Sequence, residues 1–321
     1  MSRYLELSPK QLANLTREQF LDSIRASECR VVSALICPCS ANYVERVSNL
    51  ELVASFGADF ITLEGYNPRA LQMPGLPSKN PESDFAYRDN LQVDMGYGWT
   101  VRELKELVGR PIGACALIPA TEDEDFGLLY NKNRYSPEMM ESVVEDGYDY
   151  IFLGSANSDK YTMEKVMDTI SEAKKIAGNK IAIESGVPHG PGTAAAPYNL
   201  REIITPDVVR GLAKAGADLI DVPAVGIVPG FTKEYVSSLS RAAHDEKALV
   251  VSSIAHSLEG ADPYTVKRLV LDSKICGADV ICVAAGGVYE SVPLPETLLD
   301  ICIAAKGRRH TYRRMCQSPL R

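Results

Sequence analysis

Several large function classes are excluded by what this chain does not contain. It has no run of roughly 18 apolar residues, the length a membrane-spanning helix requires. Its first residues, MSRYLELSPKQL, lack the apolar core of a secretory signal. The formal net charge of -8 denies it the broad basic surface that nucleic acid or an anionic membrane would need. The one basic cluster lies at the extreme C-terminus. No glycine-rich dinucleotide fingerprint follows the first apolar run, so no nucleotide cofactor is expected. A G-x-S-x-G elbow is missing, as is the cysteine triplet of an iron–sulfur or radical enzyme. A Schiff-base aldolase needs a lysine facing into its site, and the relevant runs offer only Lys180 at the wrong end, with Lys160 the nearest other candidate. These absences describe a cytoplasmic protein whose partner is a small molecule.

Cysteine is scarce for a disulfide framework: eight residues are diluted through 321, and Cys115, Cys276, Cys282 and Cys302 sit inside strand or helix patterns. Reduced thiols are the expectation. Cys29, Cys37 and Cys39 form the one cluster, but C-P-C without a second pair or a nearby histidine is a poor zinc pattern.

What the chain does contain is a repeated phrase. G-A-D-F-I-T-L at 57–63, G-Y-D-Y-I-F-L at 147–153, G-A-D-L-I-D-V at 216–222 and G-A-D-V-I-C-V at 277–283 each read as a glycine ending a helix, a turn aspartate and a buried strand. Four further apolar runs alternate with them: Arg30–Cys37, Pro111–Ile118, Lys180–Val187 and Ala248–Ile254. Helix starts between the runs are marked by Thr100 with Glu103, and by Ser136-Pro137, Thr205-Pro206 and Asp262-Pro263. Eight strands alternating with helices in a two-unit repeat predict a single (β/α)8 TIM barrel over residues 1–321.

Three segments fall outside the repeat. Residues 1–28 predict a helical extension, capped at Ser8-Pro9 or Thr16, whose Leu12, Leu15, Phe20, Leu21 and Ile24 would plug the barrel bottom. Residues 65–99 are too rich in Pro, Gly and Asn for a helix and read as a long loop after strand 2, either a lid or a surface excursion. Residues 306–321 form a basic tail carrying Arg308, Arg309, His310, Arg313 and Arg314, read as a solvated helix face or as a contact to a neighbouring subunit or anionic ligand.

Barrel enzymes carry their chemistry at the C-terminal ends of the strands. That rule selects residues 64–68, 154–160, 184–192, 221–231, 252–260 and 284–290. Glu64, Glu184 and Asp221 are side chains that hold a hard cation such as Mg2+ or Mn2+ or that transfer protons. Asp221, lying within its strand phrase, equally suits a purely structural role. His189, in the loop S-G-V-P-H-G-P-G, is a candidate acid, base or anion contact. Asn67, Ser155, Asn157 and His256 would line the substrate site, while Ser257, Gly260, Gly286 and Gly287 lie in the loops that hold phosphate in many barrels. The Gly-Gly pair could equally be a tight turn.

The run V-P-A-V-G-I-V-P-G-F at 222–231, S-L-E-G-A-D at 257–262 and the tail A-K-G-R-R-H-T-Y-R-R-M at 305–315 resemble a bacterial family of TIM-barrel proteins. Its members carry names such as haloacid dehalogenase-like hydrolase or phosphoenolpyruvate phosphonomutase-like protein. The first name implies an Asp-x-Asp pair, and here Pro223 stands where the second aspartate belongs. The second implies a barrel using Mg2+ and enolate chemistry, although its Lys-Lys-Cys-Gly-His loop is not found in this chain. The residues and the resemblance together lead us to expect a metal-assisted lyase or isomerase acting on a small anionic, phosphorylated metabolite. Two alternatives remain open, a non-catalytic metabolite-binding barrel and a metal-free isomerase using His189 and a carboxylate. A homo-oligomer is expected.

Overall fold

In a computed structural model of the chain, the residues described are 2–38, 40–64, 72–80, 84–87, 91–121, 124, 133–155, 162–186, 200–255, 257–284 and 292–321. Eight parallel strands close into a barrel: β1 (Val31–Ile36), β2 (Phe60–Leu63), β3 (Ile112–Ile118), β4 (Tyr150–Ser155), β5 (Ala182–Gly186), β6 (Leu219–Pro223), β7 (Leu249–Ile254) and β8 (Val280–Val283). They neighbour one another in chain order, and β1 closes the ring on β8 with Val31 opposite Val280. The helices are α1 (Pro9–Leu12), α2 (Arg17–Arg25), α3 (Asn49–Ser55), α4 (Val101–Val108), α5 (Pro137–Asp146), α6 (Met163–Ala177), α7 (Leu200–Ile203), α8 (Pro206–Ala215), α9 (Lys233–Asp245), α10 (Pro263–Ile275) and α11 (Pro295–Cys316). Among the described residues, no helix is long and apolar enough to cross a membrane.

The start signals in the sequence are the caps in the structure. Thr100 and Glu103 form a reciprocal capping box, and the Ser136, Thr205 and Asp262 side chains each accept amides of the first turn with proline following. Both candidate caps at the N-terminus are used, Ser8 for α1 and Thr16 for α2.

The aspartate of the repeated phrase does more than turn the chain. Asp59 donates its amide to the Val32 carbonyl (2.7 Å) and accepts the Val32 amide on its carboxylate (2.9 Å). Asp149 brackets Ile112 in the same way at 2.9 and 2.9 Å, Asp218 brackets Ile183 at 2.7 and 3.0 Å, and Asp279 brackets Val250 at 2.8 and 2.8 Å. Each even strand is thereby stapled to the start of the odd strand before it. Each carboxylate also takes a basic side chain: Lys306 and Arg314 on Asp59, Lys105 on Asp149 (2.7 Å), Arg17 on Asp218, and the His244 imidazole on Asp279 (2.8 Å). The four phrase glycines, Gly57, Gly147, Gly216 and Gly277, all have positive φ, which explains the invariant first letter of the repeat.

The barrel bottom is closed from inside. Phe60, Tyr150, Leu219 and Val280 occupy the fourth position of the four phrases and point into the bore, where they pack with Leu12, Phe20, Leu21 and Ile24 of the N-terminal extension. Phe20 stacks on Tyr150 at 5.8 Å between centroids and meets Phe60 edge-on at 5.3 Å. Gly113 makes room for the tyrosine: a Cβ there would lie 2.2 Å from the Tyr150 ring. A second, larger core fills the shell between strands and outer helices.

The C-terminal segment is built into this base. The last helix breaks at Gly307 (φ 75°, ψ 160°), and beyond the break Arg314 is 3% exposed. Its Nε bonds Asp59 at 2.9 Å, and its terminal nitrogens donate to the Tyr4 and Leu7 carbonyls. Arg308, Arg309 and Arg313 stay on the surface, but Lys306 and Arg314 are neither solvated nor available to a ligand. Of the 65–99 segment, residues 72–80 and 94–99 run against the barrel, burying Met73 and Leu76, and an antiparallel pair (Phe85–Tyr87 with Leu91–Val93) branches from it.

Candidate active site

Strand alternation carries the bore upward from its aromatic floor. The sixth position of the phrases supplies Thr62, Phe152, Asp221 and Cys282, and the odd strands add Ser33, Cys115, Glu184 and Ser253. The layer is polar. Tyr150 reaches up from the floor to bond Thr62 at 2.6 Å, and Ser253 donates a short hydrogen bond to the Asp221 carboxylate.

Glu184 and Asp221 stand on adjacent strands, staggered by one step of the pleat. Glu184 is opposite Leu219, while Asp221 is opposite Gly186, two residues nearer the mouth. Gly186 has no side chain to cover the carboxylate, and a Cβ there would approach the Asp221 Cβ to 3.1 Å. Asp221 therefore faces the open bore, and Glu184, 4% exposed, lies beneath it.

Their protonation states are set by burial. Burial drives the Glu184 carboxyl well above the ordinary carboxylate range, and the negative charge of Asp221 pushes it in the same direction. Burial raises Asp221 to about 6, while the Ser253 hydroxyl, which stabilises its charged form, works the other way. No cation among the described residues offsets either effect. The bore thus holds two carboxyl groups, Glu184 below and Asp221 above, both pushed by burial toward their protonated forms. The thiols beside them are held unionised by burial: Cys282 also faces Asp221 and Glu184, and Cys115 faces Glu64 and Glu184.

Glu64 sits half-buried just past the end of β2, its amide bonded to the Ile36 carbonyl at 2.8 Å. Glu64, Glu184 and Asp221 were the expected metal ligands. Among the described residues, however, no three His, Cys, Asp or Glu side chains converge as a metal site, and these three belong to that set.

The loop after β7 is described from Ser257 onward. Ser257, in the left-handed region at φ 73°, opens a single 3-10 turn, Leu258–Gly260. The amides of Leu258, Gly260 and Ala261 are all donated inside that turn, to Ala255, Ser257 and Leu258. Gly260 therefore has no free amide for an anion, and the buried Glu259 adds an acidic group beside it. Ser155 is the last residue of β4, paired with Ile118. Asn67, Asn157, His189, His256, Gly286 and Gly287 lie outside the described residues.

Ser253 is the functional neighbour that sequence reasoning did not single out as a site residue. Its signal was available: it and Val251 alternate inward on β7, which places it at the level of the sixth phrase position.

The fold and this bore define a TIM barrel with a two-carboxyl interior. Residues 5–321 match the family described as Domain of unknown function (DUF7916), and the chain belongs to that family. No curated protein matches it by sequence. Solved barrels resemble it in fold. A variant of the carboxyl transferase domain of Rhizobium etli pyruvate carboxylase, solved with pyruvate, aligns with a TM-score of 0.50 at 13% identity over 98% of this chain and 54% of that longer one. A candidate fructose-1,6-biphosphate aldolase from Coccidioides immitis aligns at 0.48 and 13% identity over 92% and 96% of the two chains. Dihydrodipicolinate synthase from Oceanobacillus iheyensis aligns at 0.47 and 10% identity over 93% and 79%. The haloacid dehalogenase-like name finds no support among them.

Proposed function

We propose that this barrel is a lyase- or isomerase-type enzyme that moves a proton beside a carbonyl group of a small anionic metabolite. The observation that carries the reading is the stacking of Glu184 beneath Asp221 in one bore, with both carboxyls pushed toward their protonated forms by burial, Asp221 to about 6. Asp221, ionised at neutral pH and aligned by Ser253, takes the proton from the carbon next to the carbonyl. Glu184, still protonated, hydrogen-bonds the carbonyl oxygen and supplies its proton as negative charge develops there. Each step here is carried by the chain's own residues. The anionic character of the substrate rests on the sequence, where His189, His256 and Gly286-Gly287 follow the fifth, seventh and eighth strands.

The test is solvent exchange followed by NMR. Wild-type protein is incubated in D2O with a panel of 2-oxo acids and phosphorylated hydroxyketones, with and without EDTA. A substrate is expected to lose its α-proton signal in both conditions. Asp221→Asn and Glu184→Gln should each slow that exchange about 100-fold or more while remaining folded, the usual weight of a positioned acid or base. Exchange that survives both substitutions overturns the assignment, and exchange abolished by EDTA alone returns the reaction to a metal. Binding without exchange anywhere in the panel would indicate a metabolite-binding barrel.

A further inference from the structure

Helix α10 is apolar on two sides. Val266, Leu269 and Val270 face the barrel, while Tyr264, Leu271 and Ile275 face outward with 75, 51 and 68% of their surface exposed. With Arg268 these three occupy positions spaced four, three and four residues apart, which places all four side chains on one seam of the helix. No described element covers them. Among the described residues the other exposed large apolar side chains are the adjacent Tyr43 and Val44 and the separate Tyr97, Tyr312 and Leu320, whereas these three line one seam of a single helix and are exposed by half or more.

We propose that the chain forms a two-fold symmetric dimer in which α10 packs antiparallel against α10 of a second copy. The seam is complementary to itself. A two-fold axis between Arg268 and Leu271 sets Tyr264 of one protomer against Ile275 of the other, and Arg268 against Leu271, so that a long side chain meets a shorter one at each layer. The one charge on the seam brings its own counter-ion, since Arg268 Nε lies 3.6 Å from Asp272, leaving its aliphatic stem to cover apolar surface. Flanking charges are already paired within the protomer, Lys267 with Asp300 at 2.8 Å and Lys233 with Asp272 at 2.5 Å, and set no like charges against each other. The three apolar side chains present on the order of 350 Å2 per protomer, so two copies supply about 700 Å2 of the roughly 1,000 Å2 that a specific interface requires. The Arg268 side chain, 65% exposed, lies on the same seam and adds to this area.

The experiment uses the full chain in sedimentation velocity and light scattering at micromolar concentration. Wild type should run as a dimer, and Leu271→Glu with Ile275→Glu should run as a monomer with an unchanged far-UV spectrum. A second set of variants tests the geometry in a Cys316→Ser background, which removes an exposed thiol. Tyr264→Cys with Ile275→Cys should form a disulfide-linked dimer on oxidation, and Tyr264→Cys alone should not. A monomeric wild type overturns the proposal and leaves the seam to a different macromolecule. A dimer that survives both glutamates, or the absence of the double-cysteine cross-link, overturns it as well.

Discussion

Asp59 and Val32 hold each other by two hydrogen bonds at the foot of the barrel, the Asp59 amide donating to the Val32 carbonyl and the Val32 amide donating to the Asp59 carboxylate. The same two-point bracket recurs three more times around the ring, always between the third residue of the repeated phrase and a residue in the first half of the preceding strand run. Each bracket fixes the register of an odd–even strand pair, and the basic side chain on each carboxylate ties that pair to a helix. The brackets lie at the end of the barrel opposite the bore's open mouth, so the repeat encodes stability and leaves the mouth to vary.

Asp149→Ala should be costly. It strands the Lys105 ammonium, whose side chain is 11% exposed, and leaves the Ile112 amide without its acceptor. Breaking a buried pair costs about 3–5 kcal/mol, and Asp149→Asn, which still accepts the amide, should cost less. Urea unfolding midpoints measure both, and equal losses for the two substitutions would contradict the bracket.

The C-terminal residues should prove indispensable to folding. Arg314→Ala removes bonds to Asp59, Tyr4 and Leu7 together and should cost about 3–5 kcal/mol, whereas Arg309→Ala on the surface should stay within about 0.5 kcal/mol. Thermal melts of the two variants side by side are sufficient, and the order reversed would place the tail outside the base.

Gly113→Ala should destabilise by overpacking, about 1–3 kcal/mol, because the new methyl group meets the Tyr150 ring. The loss should shrink in a Tyr150→Leu background. A double-mutant cycle with no coupling between the two sites would show that the ring does not occupy that space.

Stability should respond to pH through Asp221. Its folded pKa, raised to about 6 from 3.8, means that the native state binds the proton more tightly than the unfolded chain does. This group's contribution therefore favours folding in acid and is lost as pH climbs from about 4 to 6. Asp221→Asn should remove that slope and be more stable than wild type above pH 7 by about 1–2 kcal/mol, a figure reduced for the group's partial contact with solvent. Parallel unfolding profiles for the two proteins between pH 4 and 8 would refute the shift.

Much of the fold could be read from the sequence because it depends on local chemistry that repeats. The phrase glycines require positive φ, the caps are Ser, Thr or Asp ahead of a first turn, and alternation fixes which strand residues face inward. Phe20 and Ile24 were legible as a plug from their helical spacing alone. Charge pairing was not legible in the same way. The basic tail read as a surface feature until the fold brought Arg314 to Asp59, 255 residues away in the chain.

The identity of the acidic residues at the bore belongs to the sequence: Glu184 and Asp221 are each marked by standing inside an otherwise apolar strand. How far burial pushes each of them toward its protonated form was decided only by tertiary structure. The one-step stagger of β5 against β6 buries the first and, with glycine at 186, leaves the second open to the bore. Desolvation depends on how the surrounding strands close around a group, and no pattern along a single strand contains that information.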